Sequence, residues 1–197
     1  MLEPKKFDSI KELSGISERT MTEHYKLYEG YVKKVNEIEE KLKSVDLSQA
    51  NQSYSDFREL KLEYSFAVGG VKNHEHYFEI LGGNGGMPSG KLLELIERDF
   101  GSYQQWLDDF TATGISARGW AWLAYDWQTN KLFNYLGDSQ NSYPVWHCTP
   151  LISLDTYEHA YYLDFATNRK EYIGAFMNNL NWQAVEEIVV KTGIDKL

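Results

Sequence analysis

The chain has 197 residues, 42% hydrophobic and 25% charged, with 6 Trp and 14 Tyr. That is a globular composition with length for a sizeable core in one or two domains. The net charge of −9 excludes nucleic acid as the expected partner, because phosphate binding needs a basic field. It leaves room for a small anion drawn in by a local basic funnel.

Cys148 is the single cysteine, so an intrachain disulfide and a thiolate metal cluster are both excluded. It suits a reducing compartment and reads as a buried, inert thiol. The start, Met1 to Lys6, carries no apolar segment behind its charges, and no run approaches a membrane span. The expectation is a cytoplasmic protein without signal peptide or membrane contact.

Residues 1–16 read as an extended arm, and Ser17 as the N-cap of a helix over about 18–45. Alternating steps of four and three pick out His24, Tyr28, Tyr31, Val35, Ile38, Leu42 and Val45, while the Lys and Glu residues fall elsewhere. This is one face packed on a partner. Residues 46–53 form a polar connection. A second helix, about 54–81, repeats the pattern with Phe57, Leu60, Tyr64, Ala67, Val71, His74, Phe78 and Leu81. Two helices, each with one His in an apolar seam, predict an antiparallel hairpin. A lone His on such a face is more often a satisfied core residue than a ligand. Two on facing seams shift that balance, because each buried imidazole needs a hydrogen-bond partner or a metal. His76 falls off the seam and is expected at the surface or behind the site; His147 shows no pattern.

Residues 82–90 hold Gly82, Gly83, Gly85, Gly86, Pro88 and Gly90, which break any helix. Lacking a Gly-Lys-Ser/Thr ending and a preceding strand, the segment reads as a linker and not as a phosphate loop. Residues 83–90 then separate an N-terminal hairpin domain, 1–82, from a C-terminal α/β domain, 91–197. Two shorter helices follow, Lys91–Phe100 and Tyr103–Gly114. The period then changes: Gly119–Trp127 and Lys131–Leu136 flank a turn at 128–130, and Pro150–Leu154 makes a third strand. Helices are expected over 156–165, 170–179 and 182–191. The fold class is α+β: a helical hairpin, then a three-stranded antiparallel sheet surrounded by helices.

Asp155 follows the third strand, and His159 lies four residues on. Placed on one face of a helical turn, the two can hold one ion from two directions. The words around them, Leu154-Asp155-Thr156-Tyr157-Glu158-His159-Ala160-Tyr161-Tyr162, closely resemble the D-x-W-E-H-A-Y-Y signature of the iron/manganese superoxide dismutases. The resemblance extends over roughly residues 15–185. Glu23-His24-Tyr25 is similar to the family's first ligand segment and Asn73-His74 to its second. Gly85 to Gly90 is similar to its GG-x-P-[ST]-G linker, and Arg118 to Leu123 to its GSGWxWL strand.

The resemblance implies a superoxide dismutase using one Fe or Mn ion per chain, held by His24, His74, Asp155 and His159. Three imidazoles and a carboxylate, without thiolate, suit those metals chemically. The family places a solvent-binding glutamine at one of two positions; Gly70 stands at the iron-type position and Gln140 at the manganese-type one. Ser153 matches neither the glycine of manganese members nor the threonine of iron members, so the metal stays open. The resemblance further implies pocket walls at Tyr31, Trp120 and Tyr157, a homodimer contact at Glu158, a gateway at Tyr162 and a substrate-funnel cation at Arg169. As an ordinary solvated charge, Arg169 would need no such role. The homodimer could extend to a tetramer. Two other functions fit the same ligands: a dismutase-like protein binding metal with little turnover, and a zinc hydrolase with Glu158 as its base.

Three departures stand out. Tyr157 replaces a Trp, and Tyr28 or Glu29 stands near the family's second His. Tyr31 follows His24 by seven residues where the family has eight. Seven residues return to within about 20° of the same helix face, whereas eight miss it by about 80°. The first helix is therefore expected to run straight, without a π-bulge, and still to point Tyr31 into the site.

Overall fold

Ser17 starts the first helix, α1 (Glu18–Leu42), its hydroxyl accepting from the Thr20 N–H at 3.1 Å. Ser55 does the same for α2 (Asp56–Glu79), accepting from Arg58 N–H at 3.1 Å, with Asp56 and Glu59 in the first turn, where the helix dipole favours acids. These elements belong to a computed structural model that describes residues 1–142 and 145–196.

The two helices pack as an antiparallel pair. Tyr28 Oη donates to Glu75 at 2.9 Å, and Tyr64 Oη donates to Glu39 at 3.0 Å, so rising numbers on one helix meet falling numbers on the other. The seam buries Met21, His24, Tyr28, Val32, Val35 and Ile38 against Ala67, Val71, His74, Tyr77 and Phe78. Helix α1 is regular α-helix throughout. It stops at Leu42, three residues short of the expected end, where Lys43 begins a turn.

The N-terminal arm is strapped across this hairpin. Lys5 Nζ lies 2.6 Å from Glu75 and 3.2 Å from Glu79, while its backbone N–H donates to Tyr28 Oη at 2.8 Å. A short 3-10 turn, Asp8–Ile10, follows.

The glycine-rich segment does more than link. Leu81 bridges to Leu180, and the Gly83 and Gly85 N–H groups donate to Asn179 O and Leu180 O at 2.9 and 3.1 Å. A Cβ on Gly83 would stand 2.4 Å from Asn181 Cα, so this backbone-to-backbone approach requires glycine. Helices α3 (Gly90–Phe100) and α4 (Tyr103–Ser116) come next, parted at Gly101, whose φ is +90°.

The sheet has the order β2-β1-β3, fully antiparallel: β1 Trp120–Asp126, β2 Lys131–Gly137, β3 Cys148–Asp155. Central β1 is buried on both faces almost throughout. Pro150 sits on edge strand β3 at a register shift beside Leu123 and Ala124, where a missing N–H is tolerated. Trp120 pairs with Gly137 on one side and Asp155 on the other.

The expected helix over 156–165 is replaced by a 3-10 turn, Glu158–Ala160, and a single α turn, α5 (Tyr162–Phe165). Ala166, at φ +47°, ends it. Helices α6 (Arg169–Asn178) and α7 (Trp182–Thr192) follow, and a 3-10 turn, Ile194–Lys196, comes after them. Among the described residues no helix is long and apolar enough to cross a membrane.

Asn179 ties the start of the chain to its end. Its Oδ1 accepts from Ser14 N–H at 2.7 Å, and its Nδ2 donates to Ser14 O and Ala175 O at 2.7 and 2.8 Å. The side chain is buried. Asn179→Ala leaves those groups without partners, and an expected loss of about 1–3 kcal/mol lowers the urea midpoint with an unchanged slope.

Candidate metal centre

His24 and His74 face one another from α1 and α2, their ring centroids 5.0 Å apart. Asp155 ends β3 and His159 lies on the following 3-10 turn. The four are drawn together although Asp155 and His159 do not share a helix. Asp155 Oδ1 accepts from the Tyr157 N–H at 2.9 Å, which curls the chain and brings His159 round. The Nε2 atoms of His24, His159 and His74 stand 3.1, 3.0 and 3.6 Å from Asp155 Oδ2. One donor atom from each residue lies within 4.8 Å of every other.

The donor set fits a cation. Bonds of roughly 2.0–2.2 Å to a first-row ion place neighbouring ligand atoms about 3–4 Å apart. His74 Nδ1 is 2.6 Å from Gly70 O, a bond it makes as donor. That leaves Nε2 as a lone pair. This Nε2 is buried without a hydrogen-bond partner, as an imidazole aimed at a metal would be. Three imidazoles cannot all donate to one carboxylate oxygen; a cation between them resolves the conflict.

The charges are arranged accordingly. Burial would raise the Asp155 carboxyl, but the charge and hydrogen bond of His159, then those of His24, hold it well below the usual carboxylate range. Burial lowers His24 against the pull of Asp155, and burial with the neighbouring His24 lowers His74 to about 3. At His159 burial also lowers, yet Asp155 outweighs it and the net direction is upward. The side chains of His24, His74 and Asp155 have no exposed surface, whereas His159 is 30% exposed. The centre therefore opens on the His159 side.

Around it, the Trp120 Nε1–H donates to Gln140 Oε1 at 3.0 Å, and Gln140 Nε2 donates to Tyr31 Oη at 3.4 Å. Tyr31 lies against His74, with centroids 5.4 Å apart, and Tyr157 stacks on His159 at 5.3 Å. Burial raises Tyr31, Gln140 opposing and Asp155 adding, and burial raises Tyr157 to about 12. Gly69 and Gly70 make this layer reachable. A Cβ on Gly69 would stand 2.1 Å from Gln140 O, and one on Gly70 2.7 Å from the Tyr31 ring.

Tyr28, near the position of the family's second His, is fully buried and joins Glu75 to Lys5. Glu158 and Tyr162 are exposed beside His159. Arg169 commits its donors to Tyr161 Oη at 3.2 Å, Ile115 O at 3.1 Å and Ala117 O at 2.5 Å. It is not an ordinary solvated charge. Of the two places expected for His76, the surface is not the one taken: its ring nitrogens are buried, with the Pro150 backbone as the polar group facing them, so the helix presents the ring to β3. His147, at φ +63°, turns the chain and accepts from Trp127 N–H through its carbonyl.

Two residues lacked any sequence signal. Tyr172 Oη donates to the Asp155 backbone carbonyl at 2.8 Å, and Tyr77, 3.2 Å from Tyr172 Oη, packs on His24 at 5.1 Å. Tyr77 sits one step from the predicted seam; the Gly69-Gly70 pair inside a helical pattern was a visible sign of close approach.

A helical hairpin, a small sheet and a four-residue His/His/Asp/His site between them define a mononuclear metalloprotein. Residues 88–188 match the family model described as iron/manganese superoxide dismutases, C-terminal domain. The chain is 42% identical to the iron superoxide dismutase of Aquifex aeolicus over 191 residues, 94% of this chain and 90% of the relative. It is 35% identical to the iron enzyme of Methanothermobacter thermautotrophicus, covering 93% and 90%. It is 33% identical to the manganese enzyme of Haloarcula marismortui, covering 93% and 89%. The chain belongs to the iron/manganese superoxide dismutase family.

The lowered imidazoles set a pH dependence. His74 at about 3 and His76 at about 4 are neutral in the fold, against 6.5 in the unfolded chain. The unfolded chain therefore binds protons first as pH falls, and stability drops from about pH 6.5 downward. The raised His159 opposes this in part. Urea midpoints of metal-free protein are expected to fall between about pH 7.5 and about pH 5, and a flat profile would contradict the neutral assignment.

Proposed function

We propose that the protein is a superoxide dismutase, converting superoxide to O₂ and hydrogen peroxide with one Fe or Mn ion per chain. The observation that carries this reading is the His24, His74, Asp155 and His159 cluster, with the Nε2 of His74 buried and unpartnered. These four residues would hold the ion, which when bound would supply the one-electron redox chemistry that dismutation needs.

The rest of the work falls to the chain. One carboxylate among three neutral imidazoles leaves net positive charge at the site when a di- or trivalent ion is bound. That draws a small anion despite the overall charge of −9. Gln140, gripped by Trp120, fixes the Tyr31 hydroxyl. Tyr31 keeps its proton through neutral pH, because burial raises it, and is placed to supply a proton toward peroxide. Tyr157 on His159 and the half-buried Tyr31 narrow the entrance to small species.

We assign 1–82 and 91–197 as two domains joined by 83–90, each contributing two ligands, so that metal binding couples them. Glu158 and Tyr162, exposed beside the centre, support a homodimer in which Glu158 reaches the partner's site. Arg169, anchored to the end of α4, is the funnel residue. The acidic composition is compatible with a cytoplasmic location.

After separate reconstitution with Fe and with Mn, elemental analysis should give about one ion per chain, and one or both forms should dismute superoxide. Stoichiometric binding without activity in either form would refute the enzyme reading. Gln140→Ala should retain the ion and lose roughly 10–100-fold in activity. Sedimentation should report a dimer that Glu158→Ala weakens; a monomer at all concentrations would remove the dimer assignment.

A further inference from the structure

Aromatic rings run from the centre along one face of the sheet to its edge strand, β2. Trp120 stands edge-on to His74, with centroids 5.3 Å apart. Trp122, two residues along β1 and so on the same face, is nearly parallel to Trp120 at 6.2 Å and 19°. Tyr135 is its cross-strand partner on β2 and stacks on it at 4.8 Å and 21°. Trp120 is fully buried, Trp122 is 5% exposed, and Tyr135 is half-buried. Trp122 and Tyr135 line a cavity of about 730 Å³ between α2 and the sheet.

The stack has a dedicated space. A Cβ on Gly137 would stand 2.9 Å from the Trp122 ring, so glycine there makes room for it. Core packing alone calls for apolar volume, and leucine would supply it. Three readily oxidised rings in series, graded from buried to accessible, are a more specific arrangement.

We propose that Trp120, Trp122 and Tyr135 form a relay that carries oxidising equivalents out of the metal site and releases them at Tyr135. The inference rests on the dismutase reading, because that reaction makes peroxide beside a redox metal. One-electron reduction of peroxide at the reduced site yields hydroxide and one hydroxyl-radical equivalent. That equivalent takes one electron from Trp120 and leaves as hydroxide. Trp122 refills Trp120, and Tyr135 refills Trp122. Tyr135 gives up its hydroxyl proton, which neutralises one hydroxide to water, and becomes a neutral tyrosyl radical. A small external thiol then returns a hydrogen atom to Tyr135 and departs as a thiyl radical. The metal ligands and Trp120 are spared.

A second aromatic branch does not lead out. Tyr77 lies against His24 and touches Tyr172, which stacks on Tyr161 at 5.1 Å. Tyr161 is buried, and its hydroxyl accepts from the Arg169 guanidinium, a cation that disfavours an electron hole. Tyr135 stacks on Trp122 and Phe133 and opens on the cavity, which Lys72 also lines.

The test uses iron-loaded protein of measured metal content and dismutase activity, exposed to hydrogen peroxide with a nitroso spin trap and mapped by peptide mass spectrometry. Wild type should carry the adduct at Tyr135. Tyr135→Phe should keep full initial activity, lose that adduct, gain oxidation at Trp120 and Trp122, and inactivate severalfold faster in peroxide. Tyr161→Phe should leave the adduct at Tyr135 unchanged. An active protein whose adducts avoid Tyr135, or whose inactivation rate and oxidation map are unaltered in Tyr135→Phe, overturns the relay. Activity in the manganese form alone overturns the relay, which needs peroxide reduction at a working iron centre; a protein inactive in both the iron and the manganese form overturns instead the dismutase reading on which it rests.

Discussion

One carboxylate oxygen organises the molecule. Asp155 Oδ2 lies among three imidazole nitrogens brought from α1, α2 and the turn after β3. Two further polar atoms of that residue are also used: Oδ1 by the Tyr157 N–H, and the backbone carbonyl by the Tyr172 hydroxyl. A buried carboxylate is costly unless compensated, and here the compensation is built from all parts of the chain. The centre is therefore a structural junction as well as a chemical one. Without a cation, the His74 lone pair and the Asp155 carboxylate, both fully buried, are left facing one another.

The layer around the junction follows from close approach more than from charge. Gly69 and Gly70 remove side chains where Gln140 and Tyr31 must come near. Gly83 does the same where the segment after α2 pairs with residues 179–181. Gln140 then carries the hydrogen bond from Trp120 on to Tyr31, linking a strand, a loop and a helix in one line. The straight α1 is part of this arrangement. With Tyr31 seven residues after His24, a regular helix places both on the site, and Tyr28 one turn after His24 goes to Glu75 and the arm.

Much of this was legible in the residues. The serine cap at 17, seams at helical spacing, the glycine break after Leu81 and the change to aromatic strands all act locally, through backbone preference and periodicity. The motif around Asp155 and the resemblance of four segments to one family placed His24, His74, Asp155 and His159 in a common site. The turn after Asp155 was misjudged because Asp-to-backbone bonding competes with helix formation, and the Tyr157 N–H went to the aspartate side chain. His76 was left open between the surface and a place behind the site, because a half-turn away from one seam it meets β3, an element distant in sequence.

The sequence by itself determined most of the helices, the three strands and the antiparallel hairpin, which depend on spacing along one segment, and through the family resemblance it named the residues that can bind a cation. Only the tertiary structure decided that Tyr172 and Tyr77 support the site, that the glycine-rich stretch is pinned to residues 179–181, and that Arg169 braces the end of α4. It also decided that Trp120, Trp122 and Tyr135 stack in series. Each of these joins segments far apart in the chain, and contact between distant segments is set by the packing of whole elements, which no local pattern encodes.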